Sequence, residues 1–216
     1  MLAHYFASSF LISLGLVPLF AAEPAGPDLQ IYIKTGGIAP AIRLEMEKQT
    51  DIIMKNAGFD AGWWESREDL KVTHAQLLVI EFKGQCKPSP AADVRRFAGN
   101  FSQLAASAVT DGRVLPFIQV DCAGLARLLN PKLASQSRTK QEKLYARAMA
   151  RVLAHEIYHV VAQTTLHTSK GLTKARVCAE ELTSENFGFT EVALGRLRTQ
   201  RRSHEAGVRV ATAGGM

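Results

Sequence analysis

The segment from Thr139 to Gln163 constrains this chain most, because it carries the longest helical periodicity in the sequence. Lys143, Arg147 and Arg151 recur every four residues and predict one solvent-facing basic stripe. Tyr145, Met149, Leu153, Ile157 and Val160 fall on a second face, the expected core side. A third face carries Ala148, Val152, His155 and His159. An apolar stripe of that length must be buried against other elements, so the rest of the chain is read for what covers it.

Upstream, Leu29–Lys34 alternates and is β-rich, which predicts a strand. Ala39–Ala57 places Ile42, Leu44, Met46, Ile52, Ile53 and Met54 among charged residues and ends at Gly58, the pattern of an amphipathic helix with a glycine stop. Asp60–Glu65 suits a short strand. Ala75–Phe82 is nearly all apolar, the pattern of a strand buried on both faces. Lys87–Ala91 is a proline-bearing loop, and Val114–Asp121 is another strand, with Pro116 pointing to a sheet edge. A last helix is expected within Glu180–Arg202. The order predicts an α+β domain: a mixed sheet, a long helix in the N-terminal half, and a central helix bearing the two histidines.

Leu2 to Ala22 contains no Lys, Arg, Asp or Glu, and Phe6–Phe20 is apolar with small residues before Ala21 and Ala22. This predicts a secretory signal peptide over residues 1–22 and a single domain over 23–216, placed outside the cell or in a periplasm. The n-region lacks a basic residue, and Leu19 or Phe20 stands at the third position before the cut. An uncleaved membrane anchor is therefore the alternative, against which stand Pro18 and three serines. Three cysteines in an exported chain predict one disulfide and one spare thiol. Cys86 and Cys122 each follow a predicted strand and are a candidate pair, with Cys178 left over; spacing alone leaves the pairing open. No C-x-x-C occurs, which argues against a cysteine zinc site.

Lys and Arg total 26 against 20 Asp and Glu. The excess is scattered, apart from Arg138–Lys143 and Arg196–Arg202, and aromatics do not interleave with it. The expectation is a solvated basic surface, with no base-stacking platform for nucleic acid.

His155-Glu156-Ile157-Tyr158-His159 is an H-E-x-x-H motif. Side chains four apart sit one helical turn apart on the same side, so two imidazoles can share one Zn²⁺. Glu156 lies beside the first histidine, near the ion without being bound to it. Zinc makes a bound water acidic, and a neighbouring carboxylate can take its proton. A chance match in a chain of this length is on the order of one in a few hundred. The plainer reading is two histidines with an incidental glutamate. Catalytic zinc takes three protein ligands. His167, just past the predicted helix end, is the preferred third; Glu180 and Glu181 are alternatives, and Cys178 is a poor candidate. Tyr158 shares the phase of the basic stripe, which predicts a surface residue. A strand near the cleft is expected to be Ala75–Phe82 or Val114–Asp121.

At these residues the chain resembles the zincin metallopeptidases, and among them the metzincins, which read H-E-x-x-H-x-x-G-x-x-H with a methionine turn beyond. Ala162 stands at the glycine position and Thr165 at the third histidine position; His167 comes two residues later. The string AHEIYHVVAQTTLHTSKGLTKAR is also similar to a set of short exported bacterial proteins. They carry A-H-E-I-G-H, seven residues, His, then S-x-x-G-I-M-R-A. Tyr158 replaces their glycine and Thr173 their methionine. IYIKTGGIAPAIRLEMEKQTDIIMKNAGFDAGW resembles their opening strand and helix. The resemblance implies a zincin-like fold, zinc held by His155, His159 and His167, and Glu156 as general base in hydrolysis of a peptide or protein. It places Glu180 and Glu181 in the final helical region, away from the metal. Two other readings stay open at this point: a non-catalytic zinc-binding relative, and an intracellular DNA-associated metallopeptidase.

Overall fold

The computed structural model of the chain describes residues 26–34, 37–66, 68, 75–88 and 103–213. The expected leader, Gly36 and the end of the proline-bearing loop lie outside the described residues. Among the described residues no helix is long and apolar enough to cross a membrane.

β1 (Leu29–Lys34) forms as expected, with Leu29, Ile31 and Ile33 turned inward. Then α1 (Pro40–Asn56) starts on Pro40, whose missing N–H would have had no helical partner there. Ile42, Met46, Thr50 and Met54 make its core face. Leu44 and Ile52, two of the apolar residues in the pattern, are exposed. Thr50 takes a core place because its hydroxyl donates to the Met46 carbonyl at 2.9 Å. β2 (Ala61–Trp64) follows, then β3 (Gln76–Lys83).

The remaining strands are β4 (Ala105–Thr110) and β5 (Arg113–Asp121), and the five strands pair in the order β2-β1-β3-β5-β4. All pairs are parallel except β4 with β5, so the sheet is mixed, as expected. The antiparallel edge was not legible as a strand from its small residues. Its signal was the turn: Asp111 and Gly112 both have positive φ, and an Asp-Gly pair is the favoured two-residue hairpin.

Two strand expectations are corrected. β3 is buried on one face only: Leu78, Ile80 and Phe82 go in, while Leu77 is 41% exposed and Glu81 bonds to Lys34 and Gln119. The helices described here pack on one side of the sheet, so the apolar run is not covered twice. β5 lies inside the sheet, not at its edge, despite Pro116. That proline sits before the β3 ladder starts at Phe117 and opposite the register shift between Ser107 and Val109, where no ladder bond is lost.

α2 (Cys122–Leu133) was not foreseen. Asp121 caps it by accepting from the Gly124 N–H at 2.9 Å. α3 (Arg138–Ala162) matches the predicted helix to within a residue at each end and packs against α1, α2, β4 and β5. Its core stripe, Tyr145 to Val160, is buried. A short α4 (Ala179–Thr183) and a long α5 (Glu191–Ala213) complete the chain, so the last helix is two elements. Cys86 and Cys122 form a disulfide between the end of β3 and the start of α2, and Cys178 is a free, exposed thiol. Tyr145 ties α3 to this corner by donating to the Cys122 carbonyl at 2.9 Å.

Candidate metal centre

His155 and His159 sit one turn apart on α3. The Nδ1 of His155 lies 2.7 Å from the Leu172 carbonyl, and that of His159 lies 2.6 Å from the Thr164 carbonyl. A carbonyl only accepts, so both Nδ1 atoms carry the proton and both Nε2 atoms keep a free lone pair. Those Nε2 atoms face each other at 3.0 Å, and the Nε2 of His167 lies 3.3 Å from that of His155. The three ligand atoms all fall within 4.8 Å of one another. Burial pulls the His155 imidazole down to about 4, opposed by the Leu172 carbonyl and aided by a lesser pull from the neighbouring His159. His167 is lowered as well, by burial first and then by its two histidine neighbours. Neutral imidazoles are the form that binds metal, so this cluster can hold a cation.

The loop after α3 builds most of the rest. Helix α3 ends on Gln163 in the left-handed conformation, φ 46°, one residue after Ala162. That non-glycine turn is held because the Gln163 side chain donates to the carbonyls of Val114 and Val160 at 2.9 and 2.7 Å. The chain then passes Thr164 and His167 and closes on itself. The Thr168 N–H donates to the Thr173 carbonyl at 2.9 Å, and the two threonine hydroxyls meet at 2.6 Å. Thr173 is fully buried, so a hydroxyl pair fastens the loop at the position where the resembling proteins carry methionine. Gly171 is required by its φ of +68°, and an added Cβ would stand 2.7 Å from Thr190 and 2.9 Å from the Gly188 carbonyl. Leu172, next along, donates its N–H to that same Gly188 carbonyl and offers its own carbonyl to His155.

Glu156 is buried at 6% exposure. Its carboxylate accepts from the Ser107 hydroxyl of β4 at 2.7 Å. The strand whose side chain reaches the glutamate is thus β4, next to β5, which was one of the two strands expected near the cleft and whose Val114 carbonyl accepts from Gln163. Ser107 was missed because it lies far away in sequence in a strand that had not been identified.

Glu180 and Glu181 do not join the cluster among the described residues. Glu180 is exposed, and the Glu181 carboxylate is taken by Lys174 and the Cys178 N–H. Two further expectations are corrected. Tyr158 is fully buried, with its ring 5.6 Å from that of His159 and its hydroxyl accepting from Arg196 of α5 at 3.2 Å. The basic stripe is covered at Arg147 and Arg151, while Lys143 is exposed as expected. Arg151 is 4% exposed and donates to the carbonyls of Glu181, Leu182 and Glu185 beyond and within the end of α4; Arg147 donates to that of Thr183. Helical phase placed these residues on one side correctly, but α4 and α5 fold back over that side.

Compared with known protein families, curated proteins and solved structures, the chain matches none.

Proposed function

We propose that this chain is a zincin-like zinc metallopeptidase, exported from the cell, in which His155, His159 and His167 hold the ion and Glu156 is the general base. The observation that carries the reading is the facing of the His155 and His159 Nε2 lone pairs at 3.0 Å, both Nδ1 protons being given to carbonyls, with the His167 Nε2 3.3 Å from that of His155. Without a cation those lone pairs repel. Tetrahedral Zn–N bonds of about 2.0–2.1 Å set N···N edges of roughly 3.3–3.4 Å, close to the spacing found. Carbonyl partners on the second nitrogen are the usual support of a zinc-binding imidazole. Further support comes from the mixed sheet with the motif helix packed against it, and from the Cys86–Cys122 disulfide, which suits an oxidising compartment.

When bound, zinc would polarise a peptide carbonyl and acidify a water. Glu156 is the residue that would take the proton of such a water and pass it to the departing amine. Ser107 holds one carboxylate oxygen while this happens. His155 and His159 are oriented by the carbonyls of Leu172 and Thr164.

The test is metal analysis with hydrolysis of an unfolded protein, before and after chelation. Stoichiometric zinc and chelator-sensitive cleavage are expected. Glu156→Gln should keep the zinc and lose at least about a hundredfold in rate. A Glu156→Gln protein as active as the parent would sink the mechanism. Tight zinc with no turnover on a broad peptide library selects the non-catalytic reading instead.

A further inference from the structure

We propose that Ser107 is a positioning residue for Glu156: its hydroxyl holds Oε2 and leaves Oε1 as the oxygen that receives the proton. The inference rests on Glu156 being the general base. Ser107 Oγ lies 2.7 Å from Glu156 Oε2 and 3.3 Å from the Glu156 backbone carbonyl. A serine has one proton to donate, and the closer, charged acceptor takes it. Among the described residues this is the hydrogen bond that the buried carboxylate accepts. With Oε2 occupied, rotation of the carboxylate about its last torsion is restrained, and the remaining oxygen is the more basic of the two.

The strand is built to deliver this hydroxyl. β4 pairs with β5 at Ser107↔Ile118, then slips before resuming at Val109↔Val114. The extra residues lie in β5, where Leu115, Pro116 and Phe117 stand against Ala108 alone, so the partner strand bends and the local twist of the pair increases next to Ser107. The side chain that Ser107 meets lies 49 positions away on α3. The arrangement therefore couples the sheet edge to the motif helix through one hydroxyl.

Replacement of Ser107 by Ala, Val and Thr in the full chain tests this. Thr keeps the hydroxyl; Val has the same shape without it, so the Thr–Val comparison stands even where Ala unfolds the strand. The readout independent of turnover is the ¹³C resonance of the Glu156 carboxyl in metal-free protein, assigned by its loss in Glu156→Gln. It should move in Ala and Val and stay in Thr, while zinc content remains that of the parent in all three. In kinetics, Ala and Val should lower kcat about tenfold with KM within about twofold, and Thr should recover to within about threefold. Added to Glu156→Gln, Ser107→Val should cost nothing further. An unmoved resonance overturns the proposal whatever the activity. So does an unchanged kcat, or an equal loss in the Glu156→Gln background. A moved resonance in a protein whose parent cleaves nothing refutes the peptidase reading and leaves the orientation of Glu156 supported.

Discussion

His155 shows how much one side chain is asked to do. Its Nδ1 proton goes to the Leu172 carbonyl, its Nε2 faces two other imidazoles, and burial keeps it neutral down to about pH 4. The free imidazole titrates near 6.5, so between these values the unfolded chain binds a proton that the folded chain refuses. Stability of the metal-free protein should therefore hold above pH 6.5 and fall as the pH drops toward 4. Denaturation midpoints of chelated protein across that window check this, and His155→Gln should flatten part of the fall. The four-residue spacing made His155, Glu156 and His159 legible before any fold was known, and His167 followed from the need for a third ligand. Ser107 was not legible, because a hydroxyl in a weak strand carries no signal of what it will meet. Tyr158 and Arg151 were misplaced for a related reason: helical phase says which residues share a side, not what comes back to cover it.

At the level of elements, the loop from Thr164 to Lys174 is the least forgiving part. Gly171→Ala puts a Cβ into a left-handed turn, 2.7 Å from Thr190 and 2.9 Å from the Gly188 carbonyl. A loss of roughly 1–3 kcal/mol is expected, with weaker zinc binding because the Leu172 carbonyl shifts away from His155. Chemical denaturation and competition with a metal chelator measure the two effects. β1, α1 and α3 could be read from their apolar periods, and β3 from its unbroken apolar run. β4 could not, because Ala and Ser do not announce a strand, although the Asp111-Gly112 turn did mark the hairpin. Pro116 misled because a proline without an N–H is tolerated wherever the ladder is already interrupted, inside a sheet as well as at its rim.

For the molecule as a whole, the disulfide joins the sheet to the helical layer across a separation of 36 residues. Closing a loop of that length stabilises a fold by about 4 kcal/mol through the unfolded chain. Unfolding with and without reductant should differ by about that amount, and Cys178→Ser should leave the difference intact. The mixed sheet and its helical cover were legible in outline from the order of elements. The one-sided burial of β3 was not, because an apolar run looks alike whether one layer or two will cover it.

The loop after α3 supplies His167 as well as the two carbonyls, Thr164 and Leu172, that steer His155 and His159. Among the described residues, the hydrogen bonds that the three imidazoles make outside α3 go to one segment, anchored through Thr168, Thr173 and Gly188. An ion on these imidazoles would therefore depend for its residence time on the anchoring of this segment as well as on the imidazoles themselves.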